Sequence, residues 1–322
     1  MKNKFKILLT RKLHDFVLRE LEKKYDVTVH SGKIPIPKKN LMKKIQDKDG
    51  LICFPYDMID SDVIKAGKKL KCISTYSVGF DHIDVKLAKK RRIKIGYTPE
   101  VLTDATADLT VALILDVLRR VSEGDRVIRA GNWKEIFGAY GYVGTDIKGK
   151  TIGILGMGRI GKAVAKRLYP FGVKIIYHNR NGLSKTREKS LHAKLVTVNT
   201  LFKSSDIISI HIPYSKKTHE IIDIKLLGKM KKSAFIVNTS RGKIINESNL
   251  ITALKQRKIS GAALDVFRNE PIDKKHVFTK MENVVLVPHI GSSSKETREK
   301  MAEITMMNLE LGLDGKKLLY SV

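Results

Sequence analysis

Apolar and polar residues alternate along the first hundred positions in a way that predicts strands and helices in turn. Short apolar or period-two runs predict strands at 5–10, 26–30, 50–54 and 71–76. Apolar residues at helical spacing predict helices between them, at 13–25, 37–47 and 61–68. Strand–helix–strand repetition at this spacing is typical of a parallel sheet with helices on both faces.

The pattern changes after this first series. Residues 103–121 are mostly apolar and predict one long buried helix, whereas the Gly-rich and aromatic stretch 131–150 predicts a long loop. A second strand–helix series follows, with strands predicted at 151–155, 173–179, 206–212, 233–239, 259–266 and 283–289. Helical spacing returns at 297–313, in a helix that we expect to pack on the first series. The prediction is therefore an α/β protein with two doubly wound parallel-sheet units.

Composition agrees with a folded protein of this size. The chain has 322 residues, of which 42% are hydrophobic, and this excludes an intrinsically disordered chain. No apolar run reaches the roughly 18 residues needed to cross a bilayer, and the apolar stretch after the basic N-terminus is too short for a secretory signal. We expect a cytoplasmic protein without a membrane partner.

The charge is strongly basic, with 62 Lys+Arg against 33 Asp+Glu and a formal net charge of +29. The lysines are scattered in pairs such as Lys43-Lys44 and Lys231-Lys232, without a basic block or a basic–aromatic alternation. We therefore expect no nucleic-acid partner, which a flat binding isotherm at low salt would confirm. A positive field of this size favours small anionic substrates and phosphate-bearing cofactors.

The two cysteines, Cys53 and Cys72, each lie in an apolar run that predicts a strand. Two cysteines in a chain of this length form no disulfide framework, and neither belongs to a CxxC pair. We expect both to be inert buried thiols, and we expect no metal site.

A glycine-rich turn follows the predicted strand 151–155 and opens a helix, and the next predicted strand ends about twenty residues further on. Its residues are Gly156, Met157, Gly158, Arg159, Ile160 and Gly161. This context makes it a dinucleotide-binding fingerprint. The first glycine permits the tight turn, the second lets the backbone approach the pyrophosphate, and the third lets helix and strand pack closely. The pyrophosphate would lie at the helix N-terminus.

The end of the second strand of this unit indicates which cofactor is bound. A cofactor with a free ribose 2′-hydroxyl is usually held there by Asp or Glu. This chain has Asn179 followed by Arg180, a neutral amide and a guanidinium, which suit a 2′-phosphate. We therefore favour NADP(H), and NAD stays possible if Arg180 is only an exposed loop charge.

Three ionisable residues follow predicted strands of the second series, at the edge where open α/β sheets bind ligands: Arg241, Glu270 and His289. Reduction of a 2-keto acid needs a cation that binds the carboxylate and polarises the ketone. It also needs a proton donor that acts as hydride arrives, and a carboxylate beside that donor fixes its tautomer. Arg241, His289 and Glu270 can fill these roles in that order.

With these residues in place, the chain resembles the D-isomer-specific 2-hydroxyacid dehydrogenases over nearly its whole length, and most closely the glyoxylate/hydroxypyruvate reductases. The residues that carry the resemblance are SVGFDHID at 77–84, GYTPEVLTDATAD at 96–108, the turn 156–161, NTSRG at 238–242, LDVF at 264–267 with Glu270-Pro271, and PHIGS at 288–292. The resemblance implies the catalytic set Arg241, Glu270 and His289. It also implies that a loop with Val78 and Gly79 holds the substrate carboxylate together with Arg241, and that His289 binds the substrate as the proton donor. The expected cofactor contacts besides the turn and the Asn179 site are Thr106, Ile212, Pro213, Thr239, Asp265 and Gly291.

The resemblance further implies a Rossmann nucleotide domain and a flavodoxin-like substrate domain with an active-site cleft between them. The substrate domain would comprise 1–100 and 291–322, and the nucleotide domain 101–290. The long helix and loop at 103–145 would serve as the arm of a homodimer.

Two departures from the family pattern bear on the exact reaction. Asn179 replaces the acid of NAD-using members, which again favours NADP. The loop after Trp133 has Ile136 and Phe137 where the hydroxypyruvate-reducing branch has a second tryptophan, so glyoxylate and hydroxypyruvate both stay open as substrates. The alternatives are phosphoglycerate dehydrogenase or another D-2-hydroxyacid dehydrogenase, and then a non-enzymatic, cofactor-sensing interaction protein.

Overall fold

The computed structural model describes residues 4–136 and 138–322. The chain divides into two compact units, one formed by residues up to 102 together with 292–322, the other by 103–291. Phe137, near the position of the second tryptophan of the hydroxypyruvate-reducing branch, lies outside the described residues. Within the described residues no helix is long and apolar enough to cross a membrane.

The first unit contains a five-stranded parallel sheet in the order β2-β1-β3-β4-β5. Its strands are β1 (Lys6–Leu9), β2 (Asp26–Val29), β3 (Gly50–Cys53), β4 (Cys72–Thr75) and β5 (Lys94–Gly96). Its helices are α1 (Asp15–Lys24), α2 (Lys38–Lys44), α3 (Ser61–Ala66), α4 (Val85–Lys90) and, last in the chain, α12 (Lys295–Leu313). Every residue of β3 and β4 is buried, as expected for parallel strands covered on both faces. This strand order is that of a flavodoxin-like sheet, so the fold predicted for this unit is confirmed.

The C-terminal helix α12 packs on β4 and β5. The hydroxyl of Ser74 donates to the carbonyl of Thr305 at 2.8 Å, and the Asn308 amide donates to the carbonyl of Tyr97 at 3.1 Å. A Cβ at Gly312 would overlap the Cys72 sulfur, so glycine lets the helix approach the strand closely. The last helix therefore belongs to the unit that the N-terminal strands begin.

The second unit contains a seven-stranded parallel sheet in the order β12-β11-β10-β9-β6-β7-β8. Its strands are β6 (Thr151–Leu155), β7 (Lys174–His178), β8 (Ala193–Leu195), β9 (Ile207–Ile210), β10 (Phe235–Asn238), β11 (Gly261–Leu264) and β12 (Val284–Leu286). Its helices are α5 (Thr103–Arg119), α6 (Val121–Arg129), α7 (Arg159–Leu168), α8 (Lys185–Ser190), α9 (Val198–Ser204), α10 (Ile224–Leu227) and α11 (Glu247–Lys255). Three short 3-10 turns lie at 169–171, 242–244 and 277–280. The order is that of a Rossmann sheet, in which successive strands are added on one side of β6 and then on the other, beginning with β9.

The long apolar helix is shorter than the sequence predicts. It ends at Arg119, and Arg120 takes a left-handed φ of 58° before α6 begins at Val121. Helix α6, which the sequence analysis did not predict, buries none of its residues, and its apolar side chains Val121 and Ile128 are exposed. The following stretch 131–150 has neither helix nor strand in its described residues, as predicted.

The two cysteines lie inside the first sheet, and both are free and buried. Burial in the apolar core raises the pKa of the Cys72 thiol to about 12 and raises that of Cys53 well above its ordinary value. Both thiols therefore stay protonated at neutral pH, which confirms the prediction of inert side chains.

Candidate active site

The glycine-rich turn lies where the strand order of the second sheet reverses. Gly156 has a φ of +102°, and a Cβ there would come within 2.7 Å of the backbone of His211 and Ile212 at the end of β9. Only glycine tolerates both the left-handed backbone and this contact. The first glycine is therefore required by the close approach of the turn after β6 to the end of β9. Rossmann sheets bind nucleotides at this position.

The other two glycines have different surroundings. A Cβ at Gly161 would overlap the carbonyl oxygen of Gly156, so this glycine lets α7 pack against its strand. At Gly158 a Cβ would meet no atom within 4 Å, and the residue is exposed. Gly158 also precedes α7 without a side-chain cap, so the first amides of the helix are available to an anion. This arrangement fits the pyrophosphate of a dinucleotide.

The remaining residues of the turn alternate between core and surface. Met157 is buried and Ile160 is half-buried in the apolar core, whereas Arg159 is exposed as the first residue of α7. The two apolar side chains anchor the turn and leave its polar backbone outward.

Asn179 has a structural contact that the sequence did not predict. Its Oδ1 accepts the N–H of Met157 at 2.7 Å, so the residue after β7 fixes the conformation of the glycine-rich turn after β6. The neighbouring Arg180 is exposed, and among the described residues it forms no ion pair or hydrogen bond. The strand end therefore presents a neutral amide and a guanidinium to a bound ligand.

Arg241 follows β10 in a loop that is held by its neighbours. The Asn238 side chain donates to the carbonyl of Arg241 at 3.0 Å and accepts the N–H of Ser240 at 3.0 Å. The hydroxyl of Ser240 donates to the carbonyl of Ile212 at 2.5 Å, which ties this loop to the end of β9. Pro213 follows Ile212 and is exposed.

Gly242 joins this loop to the next one. A Cβ at Gly242 would overlap the backbone carbonyl of Phe267, so glycine alone permits the loops after β10 and β11 to pack together. The sequence analysis assigned no role in the site to Gly242 or to Phe267. The glycine directly after Arg241 is the only signal that could have suggested a close backbone approach.

Glu270 and His289 form a direct pair. Nδ1 of His289 lies 2.7 Å from Oε2 of Glu270, and Oε1 of the same carboxylate accepts the N–H of Phe267 at 2.8 Å. A carboxylate can only accept here, so His289 carries its proton on Nδ1. The side chains of both residues are mostly buried, at 24% and 14% exposure. The pair therefore has the orientation in which a carboxylate selects one imidazole tautomer.

Asp265 holds the turn after His289. Its two carboxylate oxygens accept the N–H groups of Ile290 at 2.6 Å and Gly291 at 2.9 Å. Burial is the main reason that the pKa of Asp265 rises from 3.8 to about 6, and these two hydrogen bonds oppose the rise. A Cβ at Gly291 would lie 3.1 Å from Oδ2 of Asp265 and 3.4 Å from Cγ2 of Thr106, so Thr106 borders the same turn.

Thr239 is buried at 8% exposure, and its hydroxyl shares a hydrogen bond of 2.9 Å with Thr110 of α5. The second unit thus brings Asp265, Glu270, His289 and Gly291 into connected turns at the carboxyl edge of its sheet, with Thr106 of α5 beside Gly291.

Val78 and Gly79 belong to the first unit, after β4. The hydroxyl of Ser77 donates to the carbonyl of Gly79 at 2.5 Å, which closes a tight loop. In the part of the chain that the structure describes, the amides of Val78 and Gly79 donate to no backbone carbonyl. Two such amides in succession are suited to bind a carboxylate.

Comparisons with known proteins agree with this geometry. A family profile described as "D-isomer specific 2-hydroxyacid dehydrogenase, NAD binding domain" matches residues 111–291. A glyoxylate reductase of Thermofilum pendens is 46% identical over 312 residues, which cover 97% of this chain and 92% of that protein. The chain belongs to the D-isomer-specific 2-hydroxyacid dehydrogenases. The resemblance inferred from the sequence is thereby confirmed.

Two solved structures of related proteins extend the likeness to the whole chain of this 2-hydroxyacid dehydrogenase. A protein from Thermus thermophilus is 39% identical with a TM-score of 0.91, covering 98% of this chain and 99% of that one. An NADPH-dependent glyoxylate/hydroxypyruvate reductase from Sinorhizobium meliloti, in complex with NADP and malonate, is 28% identical with a TM-score of 0.86. The shared segments cover 99% of this chain and 97% of that one. The second unit is therefore an NAD(P)-binding domain.

Proposed function

We propose that this protein, a D-2-hydroxyacid dehydrogenase, reduces glyoxylate to glycolate or hydroxypyruvate to D-glycerate, with NADPH as the preferred cofactor. The observation that carries the proposal is the His289–Glu270 pair at 2.7 Å, in a member of this dehydrogenase family. Relatives named glyoxylate reductase, at 46% and 43% identity, support the choice of substrate.

His289 is the proton donor in this proposal. Because Nδ1 donates to Glu270, the nitrogen that serves the substrate is Nε2, and the ketone oxygen receives its proton there. The carboxylate of Glu270 stabilises the imidazolium form that precedes this transfer. The nicotinamide, when bound, supplies hydride to C2 of the keto acid.

Arg241 binds the substrate carboxylate and polarises the ketone. Its guanidinium suits both tasks, because it donates in a fixed planar geometry to two oxygens at once. The contribution of the Val78 and Gly79 amides to the same carboxylate stays a prediction from the resemblance. The roles of Thr106, Ile212, Pro213 and Thr239 at the cofactor stay predictions in the same way.

NADP preference is supported by the end of β7. Asn179 presents no charge that would repel a 2′-phosphate, and the exposed guanidinium of Arg180 has no competing partner among the described residues. The relative from Sinorhizobium meliloti is described as NADPH-dependent. Use of NAD as a second cofactor is compatible with the same site.

Initial rates of reduced-nicotinamide oxidation test the proposal. Glyoxylate and hydroxypyruvate are compared side by side with NADPH and with NADH. Faster turnover with NADPH on either acid is the expected result. Activity with NADH alone would contradict the cofactor assignment and keep the reaction. Absence of turnover with every pair would contradict the substrate assignment.

We also propose a homodimer whose arm is 103–145. In that region Ile136 is 90% exposed and Tyr140 is 95% exposed, and Trp133 is half exposed. Apolar side chains this exposed in one stretch suit burial against a second copy of the chain.

Cell fractionation would test the cytoplasmic location expected from the sequence.

A further inference from the structure

The carboxyl edge of the first sheet carries a cation that the proposed mechanism does not use. Strand register pairs Leu9 of β1 with Ile52 of β3, and Ile52 with Ser74 of β4. Two residues further along each strand come Arg11, Phe54 and Tyr76, so these three residues lie level across adjacent strand ends. Tyr76 is followed directly by the loop of Val78 and Gly79.

The buried carboxylate of Asp57 fixes the backbone next to Arg11, at the ends of β1 and β3. Asp57 is 2% exposed, and its Oδ2 accepts the N–H of Phe54 at 2.8 Å and the hydroxyl of Thr10. Thr10 also donates its N–H to the carbonyl of Ile52 at 3.0 Å. The ends of β1 and β3 are therefore locked to each other, and the carboxylate that locks them is not the partner of Arg11.

The guanidinium of Arg11 lies over two aromatic rings. Its Cζ is 5.0 Å from the ring centroid of Phe54 and 6.0 Å from that of Tyr56. Its Nε is buried without a hydrogen-bond partner, and among the described residues the guanidinium forms no ion pair. Stacking holds the group in place but satisfies none of its five N–H donors.

Arg298 shows what a purely structural arginine looks like in the same unit. Its Cζ lies 5.7 Å from the ring centroid of Tyr76, which in turn is 5.1 Å from that of Phe54. Unlike Arg11, however, Arg298 donates from Nη2 to the hydroxyl of Ser293 at 2.8 Å. The two guanidinium groups flank one aromatic pair; among the described residues Arg298 has one hydrogen bond to a side chain and Arg11 has none.

We propose that Arg11 is a specificity-determining residue that binds an oxygen-bearing substituent on C3 of the substrate. The inference rests on the proposed function, in which Val78 and Gly79 hold the substrate carboxylate. The guanidinium lies over Phe54, and the ring of Phe54 is 5.1 Å from that of Tyr76, the residue just before that loop. The ends of β1 and β4 are two strand spacings, about 10 Å, apart. A hydrogen bond to the carboxylate, the three-carbon chain and a hydrogen bond from the C3 oxygen together span about this distance. A guanidinium at that point favours a hydroxyl or carboxylate oxygen over a methyl group.

The test compares three keto acids that differ only at C3. Glyoxylate has no C3, pyruvate carries a methyl group there, and hydroxypyruvate carries a hydroxymethyl group. Arg11→Met keeps much of the stacked side chain and removes the donors. It is expected to lower kcat/KM for hydroxypyruvate by about 10- to 100-fold and to leave glyoxylate and pyruvate within about threefold. Arg11→Lys keeps the charge and should recover part of the loss.

A matched control removes the same charge one residue away. Lys12 is exposed and pairs with Asp15 at 2.6 Å, so Lys12→Met changes the field of the unit but no donor over Phe54. It should leave the ratio of hydroxypyruvate to pyruvate unchanged. An equal loss on all three acids in Arg11→Met, or no loss on any, would overturn the proposal, since either result leaves Arg11 a purely structural role.

A readout without turnover separates this inference from the proposed reaction. D-glycerate and D-lactate differ in the same C3 oxygen, and each raises the melting temperature of the wild type if it binds. The larger shift is expected with D-glycerate, and the difference should vanish in Arg11→Met. A wild type that reduces no keto acid but keeps this difference would contradict the proposed function alone. Equal shifts with both ligands in the wild type would overturn the role of Arg11.

Discussion

His289 donates from Nδ1 to Glu270 across 2.7 Å while its own backbone has a left-handed φ of 54°. A residue other than glycine is strained in this region unless its surroundings hold it there. Here Asp265 accepts the two amides that follow, from Ile290 and Gly291, and Phe267 binds the second oxygen of Glu270. The imidazole is therefore oriented from its side chain and from its backbone at once.

Removal of the proton donor should abolish most of the activity. His289→Gln is expected to lower kcat/KM for keto-acid reduction by about 10²- to 10⁴-fold, since general acid catalysis contributes this much. Glu270→Gln should lower it by about 10²-fold or more, because an amide nitrogen facing Nδ1 selects the wrong tautomer. Steady-state rates with NADPH measure both effects.

The second unit supplies a control for these two variants. Nε2 of His276 lies 3.3 Å from Oε1 of Glu247, in another histidine–carboxylate pair. His276→Gln should keep turnover within about threefold of the wild type. Near-normal turnover of His289→Gln would contradict the assignment of the proton donor.

Asp265 should make stability depend on pH. Burial raises its pKa to about 6 from the ordinary 3.8, so the folded chain holds the proton over a pH window in which the unfolded chain has released it. The contribution of this group to the free energy of unfolding is therefore largest below pH 4 and is lost as the pH rises through about 6. Asp265→Asn removes this dependence.

Urea unfolding of the wild type and Asp265→Asn from pH 4 to pH 7 measures the difference. Relative to the variant, the wild type should lose up to about 3 kcal/mol across this range. The amide can accept from only one of Ile290 and Gly291, so the variant should also reduce kcat by about tenfold. A pH-independent stability difference would contradict the raised pKa.

Two glycine-to-alanine substitutions should affect different properties, one the affinity for the cofactor and the other the stability of the fold. Gly158→Ala meets no atom within 4 Å, so folding should be unchanged while the Kd for NADPH rises by about tenfold or more. Gly242→Ala would overlap the Phe267 backbone and should lower the free energy of unfolding by about 1–3 kcal/mol. Thermal melts and cofactor titrations distinguish the two. A destabilised Gly158→Ala with normal cofactor affinity would show that this turn does not approach the cofactor.

The end of β7 should decide cofactor choice. Asn179→Asp keeps an oxygen for the N–H of Met157 and adds a carboxylate, so the ratio of NADPH to NADH efficiency should fall by about 10- to 100-fold. Arg180→Gln should raise the KM for NADPH by about tenfold and leave that for NADH unchanged. The exposed Lys185, which pairs with Glu188, offers a charge-matched control as Lys185→Gln. Equal changes with both cofactors would contradict a site for the 2′-phosphate.

The exposed stretch after α6 should govern oligomeric state. Ile136→Asp places a charge at a side chain that is 90% exposed in the single chain and therefore costs it little stability. If the stretch is buried in a dimer, the variant should shift the mass measured by light scattering towards the monomer. Lys134→Asp, also exposed, changes charge two residues away and serves as the control. An unchanged dimer with Ile136→Asp would place the interface elsewhere.

The sequence by itself determined the fold class and most of the element order. Long apolar runs and helical spacing have one physical reading, burial in a parallel sheet or on its face, and nearly all such segments are strands or helices in the structure. The sequence analysis did not name the three-residue strands β5 and β8 or the helices α4, α6, α8, α9, α10 and α11. All of these elements are short, at three to nine residues, so each offers little periodicity by which it could be recognised locally.

The chemistry of the site was visible in the same way. Arg241, Glu270 and His289 each follow a predicted strand, and carboxyl ends of parallel strands share one edge, so the sequence predicts that they lie near one another. The structure shows the contact between Glu270 and His289. The spacing and context of Gly156 and Gly161 predicted a turn that the backbone contacts require.

Only the tertiary structure decided which partner each of these residues takes. Asn179 binds Met157, Gly242 meets Phe267, and Arg11 lies unpaired on Phe54, although each pair is separated by more than twenty residues. Such contacts depend on strand order, register and loop path, which local patterns of apolar and polar residues do not encode. The sequence therefore specified which groups reach the edge of each sheet, and packing specified which of them remain open to a ligand.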